Sequence, residues 1–193
     1  MGTFPPFMRI SVYISKGDSW YKPKTGYNSM NNKTLDEMDK KILIVLQEDA
    51  RMPNKEISNR VGLVPSATSE RLRKLLERGY IKSFETRLDT EKIGFGLVAF
   101  VFVKTSELAH GSHIGEKLAK VPEAQEVFNV AGEDCYLVKI RTKNTSSLGR
   151  ILREKIGIIP EVLSTRSTIV MESYKETCSI PIDLNGDSTE TVT

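Results

Sequence analysis

Four residues of the stretch GLVPSATSERLRKLLERGYIKSFETRLD, which runs from Gly62 to Asp89, would share the outward side of a helix, and their types bear on whether it could read a polyanion. Ser66, Glu70, Arg73 and Lys74 follow one another at intervals that a helix brings to one side, with Ala67, Arg71 and Arg78 on the flank. Small hydroxylated residues in a leading turn let a helix approach base edges closely. An arginine beyond them can take a guanine edge with both arms of its fork or pin a phosphate. Lys82 and Arg87, a few residues on, are placed to touch a nucleic-acid backbone. Glu70 works the other way, because a carboxylate among phosphates costs affinity unless it accepts from cytosine or orients an arginine. On spacing alone a basic amphipathic helix serves equally as a solvated face or a protein-binding one. From Leu35 to Arg87 there are 11 Lys or Arg against 9 Asp or Glu, a surplus of two that leaves both readings open.

Other chemistry finds less support. His110, His113, Cys135 and Cys178 are the residues from which a zinc site would have to come, but the histidines flank one helix start and the thiols lie far apart. Gly94 and Gly96 open a strand where a phosphate-binding fingerprint would follow one into a helix. No Ser-His-Asp or Cys-His arrangement has a supporting context, so neither an enzyme nor a bound cofactor or metal is expected. The net charge of +3 permits nucleic acid without demanding it, and 39% hydrophobic residues suffice for real cores. The longest apolar run, Leu97 to Val103, is strand-sized and too short for a membrane span. Two distant cysteines and no secretory leader point to a reducing, cytoplasmic setting.

The elements that must position these residues follow from periodicity. Leu35, Met38, Ile42, Val45 and Leu46 fall at helical spacing, with Asp36, Glu37 and Asp39 in the first turn where the helix dipole favours acids. Asn54 suits the N-cap of a second helix bearing Ile57 and Val61, and Gly62 suits its left-handed close. Pro65 starts a third helix that stops at Gly79 and turns Thr68, Leu72, Leu75, Leu76 and Gly79 toward a core. Helix, helix, tight turn, helix is the helix-turn-helix pattern. The alternation from Ile81 to Arg87 predicts a strand, one arm of a wing. Residues 1–33, with Pro5, Pro6 and Pro23 and no period, are expected to be a disordered extension, and Met30 is a possible start.

The second half changes period. Strands are expected over Phe95–Lys104, Ala124–Val130, Tyr136–Thr142 and Leu163–Tyr174. A helix capped by Ser112 carries Ile114, Leu118 and Ala119, and one capped by Asn144 or Thr145 carries Leu148, Ile151 and Leu152 up to the break at Pro160. That order makes a ferredoxin-like βαββαβ sheet with helices on one face. The other face would be bare, and two such faces packing together predict a sheet-to-sheet dimer. The fold class is therefore α+β: a winged helix-turn-helix over 34–88, a ferredoxin-like domain over 89–180, and a flexible tail over 181–193.

Six segments in order, LDEMDKKILIVLQEDAR, EISNRVGL, SATSERLRKLLERGYI, LDTEKIGFGLVAFV, VAGEDCYLVKI and IIPEVLSTRSTIVM, carry a resemblance spanning Leu35 to Tyr174. The chain resembles the leucine-responsive and asparagine-synthetase regulators, the Lrp/AsnC or feast/famine transcription factors. The resemblance implies a sequence-specific regulator of double-stranded DNA, modulated by an amino acid or related metabolite, whose homodimers build tetramers or octamers. It maps the DNA-reading positions onto Ser66, Thr68, Ser69, Arg71, Arg73 and Lys74, with Lys82 added from the wing. It maps the effector turn onto Val130, Ala131, Gly132, Glu133 and Asp134. Departures are Val64 where a capping serine is common, Glu70 where a basic residue is frequent, Ala131 in place of Thr or Ser, and Cys135 in place of Asp. Two other readings stay beside it. Some proteins of similar architecture are sirohaem decarboxylases, for which Arg141 and Arg166 would be the nearest propionate partners. A protein-interaction module with a vestigial DNA reader is the second.

Overall fold

The computed structural model describes residues 35–106 and 112–184. The expected extension over 1–33, the tail beyond residue 184, His110 and the capping side chain of Ser112 lie outside the described residues.

Three helices form the first unit. Helix α1, Glu37–Glu48, begins where the Asp36 carboxylate accepts the backbone N–H of Asp39 at 2.8 Å, satisfying one orphan donor. Helix α2, Asn54–Val61, is capped by Pro53 and not by Asn54, which is its first residue. The Asn54 side chain is used elsewhere: its amide donates to the Pro65 carbonyl at 3.2 Å and to the Ser69 hydroxyl, lacing α2 to the helix that follows. Gly62, at φ 72, closes α2 in the left-handed region that a side chain rarely adopts. Helix α3, Pro65–Glu77, starts on its proline and ends before Gly79.

Ile42, Val45, Leu46, Met52, Ile57, Val61 and Leu75 make one core among these helices. Fully burying a side chain of Leu75's size is worth about 1.5–3 kcal/mol. Leu76, expected in that core, is 40% exposed: the stripe that faces α1 and α2 is narrower than its apolar residues, and Leu72 only packs at its edge.

The expected wing strand is not present. Residues 81–88 run outside any described ladder, with Phe84 and Leu88 exposed. Alternation shows that a segment can be extended, while a strand also needs a neighbour to bond, and among the described residues this one has none. The chain then turns over Asp89–Gly94, where the Phe95 N–H donates to the Thr90 carbonyl at 2.7 Å.

The second unit is a four-stranded antiparallel sheet in the order β2-β3-β1-β4, made of β1 Leu97–Thr105, β2 Ala124–Asn129, β3 Tyr136–Thr142 and β4 Val162–Ile169. Helix α4, Ser112–Ala119, and helix α5, Thr145–Ile151, cover one face, and α5 runs on through a π-helical turn, Leu152–Ile156. Asn144, not Thr145, caps α5, its Oδ1 accepting the Ser147 N–H at 2.9 Å. Strict alternation sends Ala99, Val101 and Val103 of β1 and Tyr136, Val138 and Ile140 of β3 into a second core against Ile114, Leu118, Leu148, Ile151 and Ile156.

Strand β4 is shorter than expected. Its last ladder pair is Ile169 with Ala99; the Val170 N–H still donates to the Val98 carbonyl at 2.9 Å, and one residue further β1 itself begins at Leu97, so the partner strand ends there. The face away from the helices is not wholly bare either. Residues 170–176 return toward it, and Glu176 accepts from Lys139 Nζ at 2.7 Å and from both-oxygen contacts with Arg141 Nη2 at 2.9 Å. From there the chain reaches α1. The Gln47 amide accepts the Ile180 N–H at 2.6 Å and donates to its carbonyl at 3.1 Å, and Lys40 donates to the Asp183 carbonyl at 2.9 Å.

Candidate DNA-reading helix and effector turn

Helix α3 presents Ser66, Ser69, Glu70, Arg73, Lys74 and Glu77 to solvent. Arg73 is held by carboxylates of its own helix. Its Nη2 and Nε meet the two oxygens of Glu70 at 2.6 and 3.0 Å, and its Nη1 meets Glu77 at 2.5 Å. Lys74 joins Glu70 at 3.3 Å. The Arg73 guanidinium first, then the Lys74 ammonium, hold the Glu70 carboxyl down at about 2, while Glu70 and Glu77 raise Arg73 further above its ordinary value. Ser69 Oγ donates to the Pro65 carbonyl at 2.9 Å and accepts from Asn54, so this hydroxyl helps fix the turn before α3 while remaining exposed.

Two of the residues assigned to the reading surface are placed elsewhere. Thr68 is fully buried, its hydroxyl donating back to the Val64 carbonyl at 3.3 Å, and is corrected to a core residue. Arg71 points across to α1, where Nη1 meets Asp36 at 2.5 Å and Asp39 at 2.7 Å. These two hydrogen bonds raise Arg71 above its usual value. At Asp36 partial burial opposes ionisation, but the Asp39 N–H and the Arg71 guanidinium lower the carboxyl overall. Acids placed in the first turn of α1 thus serve two ends: Asp36 caps the helix, and with Asp39 it fastens α3. The sequence held that signal in the two acids but not the distance that closes them on Arg71. Lys82 is exposed on the segment that leaves α3.

In the sheet unit, Val130–Asp134 forms the turn between β2 and β3. It is closed by the Val130 N–H donating to the Cys135 carbonyl at 3.0 Å, and the Cys135 N–H donates to Val103 at 3.1 Å. Gly132 sits at φ 140, backbone that a side chain would strain, and nothing lies within 4 Å of where a Cβ would stand. Ala131, Gly132 and Glu133 are exposed. Asp134 is half-buried and bonded at 2.9 Å to Arg166 of β4, whose guanidinium also lies 4.1 Å from the centre of the Phe102 ring. Glu133 and Asp134, alike in sequence, therefore differ in place: Glu133 faces solvent, and Asp134 ties the turn to the open face of the sheet.

The arginines weighed for tetrapyrrole propionates are engaged within the chain. Arg141, with a 10% exposed side chain, meets Glu176, Gln125 at 3.1 Å and Thr90 at 2.8 Å, and Arg166 is taken by Asp134. Among the described residues no group of three or more His, Cys, Asp or Glu stands ready to hold a metal ion. Cys135 is half-buried and Cys178 exposed, both as free thiols.

The model of the winged helix-turn-helix DNA-binding domain matches residues 35–82, and that of the Lrp/AsnC ligand-binding domain matches residues 98–180. The HTH-type transcriptional regulator FL11 of Pyrococcus horikoshii is 44% identical over 77% of this chain and 97% of its own length. The chain belongs to the Lrp/AsnC family of transcriptional regulators. Other transcriptional regulators are similar to it along the same span. The proline dehydrogenase transcriptional activator of Rhizobium radiobacter is 38% identical over 78% of this chain and 97% of its own. A transcriptional regulator of Neisseria meningitidis, solved as a complex with L-Met, superposes with a TM-score of 0.73 at 31% identity, covering 78% of this chain and 98% of that one. The architecture is the α+β arrangement of Lrp/AsnC structures, a winged helix-turn-helix followed by a four-stranded sheet with helices. A DNA-binding regulator of transcription is thus the function of the family and of this chain.

Proposed function

We propose that α3 enters the major groove and that the turn after β2 takes a small amino acid or related metabolite whose binding shifts promoter occupancy. Ser66, Ser69, Arg73 and Lys74 are the reading positions on α3, and Lys82 meets the backbone beside them. The observation that carries this reading is the division of α3: Thr68 and Leu75 face the core, Arg71 fastens the helix to α1, and the remaining side chains look outward as one surface. The reading unit is taken as 34–88, the ligand-binding unit as 89–180 and the tail as 181–193.

For the effector turn, Val130, Ala131, Gly132, Glu133 and Asp134 are the proposed contacts. Gly132 lets backbone approach the ligand, and Glu133 offers a carboxylate to an ammonium group. Support comes from the L-Met complex of the Neisseria meningitidis relative. The face bearing Val98, Phe100, Phe102 and Leu137 is half-buried, and a second copy of this chain placed against it would complete that burial in a dimer. Two reading helices about 34 Å apart would then meet successive turns of a roughly palindromic site, and dimers would assemble further into tetramers or octamers. No catalytic step is ascribed to the chain. No helix among the described residues is long and apolar enough to cross a membrane, and a cytoplasmic setting fits a regulator of promoters.

The test is duplex binding in the presence of each of the common amino acids, with wild type and Gly132→Val. An effector that shifts the wild-type curve while leaving Gly132→Val unmoved, at unchanged effector-free affinity, supports the turn as the site. A shift retained in full by Gly132→Val places the effector elsewhere.

A further inference from the structure

The outward surface of α3 is charge-balanced by its own residues. Arg73 and Lys74 face Glu70 and Glu77, and Glu70 engages both cations at once. A reader built only to bind phosphates gains from every uncompensated cation, since each contact releases a counterion. Here that gain is cancelled on the very helix that reads. The Glu70 contact with Arg73 is also two-pronged, using the fork that would otherwise take the N7 and O6 of a guanine. An ordinary exposed helix pair needs neither the double engagement nor a position in the leading half of a reading helix.

We propose that Glu70 is a specificity-determining residue: it withholds Arg73 and Lys74 from phosphate, so that only a base step offering the Arg73 fork two acceptors in register draws it away. This rests on the reading of α3 as the groove-entering helix. Off target, Arg73 keeps its carboxylates and Glu70 repels the backbone. On target, the fork exchanges one planar, two-acceptor partner for another. Glu70 therefore lowers affinity for random sequence more than for the cognate site, without touching a base itself.

The experiment compares wild type and Glu70→Gln on a duplex selected from a random pool by the wild type and on random duplex, across a salt series, with melting curves to establish that both are folded. Gln is a good helix former at an exposed position, so the fold is expected to survive. Removing one opposing charge is expected to steepen the salt dependence on random duplex by about 0.9 in log–log slope, which at 0.1 M salt is roughly an eightfold tighter binding. Cognate affinity rises less, so the ratio of cognate to random falls several-fold. Unchanged random affinity and slope would overturn the proposal. So would a loss of cognate affinity alone, which would make Glu70 a reader of cytosine. If the wild type selects no sequence at all, the reading of α3 itself fails, and that failure is visible before the variant is made.

Discussion

Replacing Arg71 with alanine separates a fastening role from a DNA contact. In the folded chain Arg71 keeps 32% of its side-chain surface and bonds Asp36, which is half exposed, and Asp39, which is 11% exposed. Hydrogen bonds to charged groups are worth about 1.5–3 kcal/mol each when shielded. Solvent reaches both Arg71 and Asp36, so the loss in Arg71→Ala is set mainly by the Asp39 contact, at about 1–2 kcal/mol. For a unit of some 50 residues unfolding on its own, that corresponds to a fall in melting temperature of about 10–20 °C. Circular dichroism at 222 nm reads the melt, and a double-mutant cycle with Asp39→Ala is expected to return about 1 kcal/mol of coupling. At a low temperature where wild type and variant are both folded, DNA affinity and its salt slope should match. A variant as stable as wild type whose salt slope is shallower by about 0.9 would refute the reasoning, because it would show Arg71 on a phosphate.

Leu75→Ala removes the most buried apolar side chain of α3 and is expected to cost about 2–5 kcal/mol in that unit, while the buried Tyr136 of the sheet keeps its near-ultraviolet dichroism; simultaneous loss of both signals would contradict the two separate cores. Gln47→Ala removes both bonds to the Ile180 backbone, and limited proteolysis near Lys175 should quicken by about thirtyfold if each bond is worth roughly 1 kcal/mol; equal rates would mean the segment around Ile180 is not held there. Acid should weaken the fold. Asp36, Glu161 and Glu176 all have lowered folded values, so their contribution is complete above the unfolded carboxyl range near 4 and lost as pH falls through the folded values; a urea midpoint at pH 3 equal to that at pH 7 would contradict this.

Much of the fold is legible because periodicity and core coincide. Ile42, Val45 and Leu46 repeat at helical spacing and are buried together, and Ala99, Val101 and Val103 alternate and are buried together. Legibility ends where a residue's fate depends on what lies across from it. Nothing in the alternation of Ile81 to Arg87 reveals whether a ladder partner exists, and nothing in β-branched composition shows where β4 runs out of neighbours. Thr68 lies on the inward stripe of α3, and its hydroxyl is satisfied by the helix backbone, so burial overrides the surface role that its residue type suggests. Glu133 and Asp134 are adjacent acids in one turn, separated only by Arg166, which comes from a strand about thirty residues later. The segment before the tail shows the same limit: nothing in the residues around Ile180 reveals that Gln47 supplies both a donor and an acceptor to its backbone.

The most direct test of a sequence-reading regulator is the salt-dependent binding of the purified protein to duplex from its own upstream region and to random duplex of equal length. The account predicts a cognate preference of about a thousandfold or more at physiological salt, with log affinity falling steeply and linearly in log salt on both. Equal, weak binding to either duplex would contradict it and leave α3 without its proposed role.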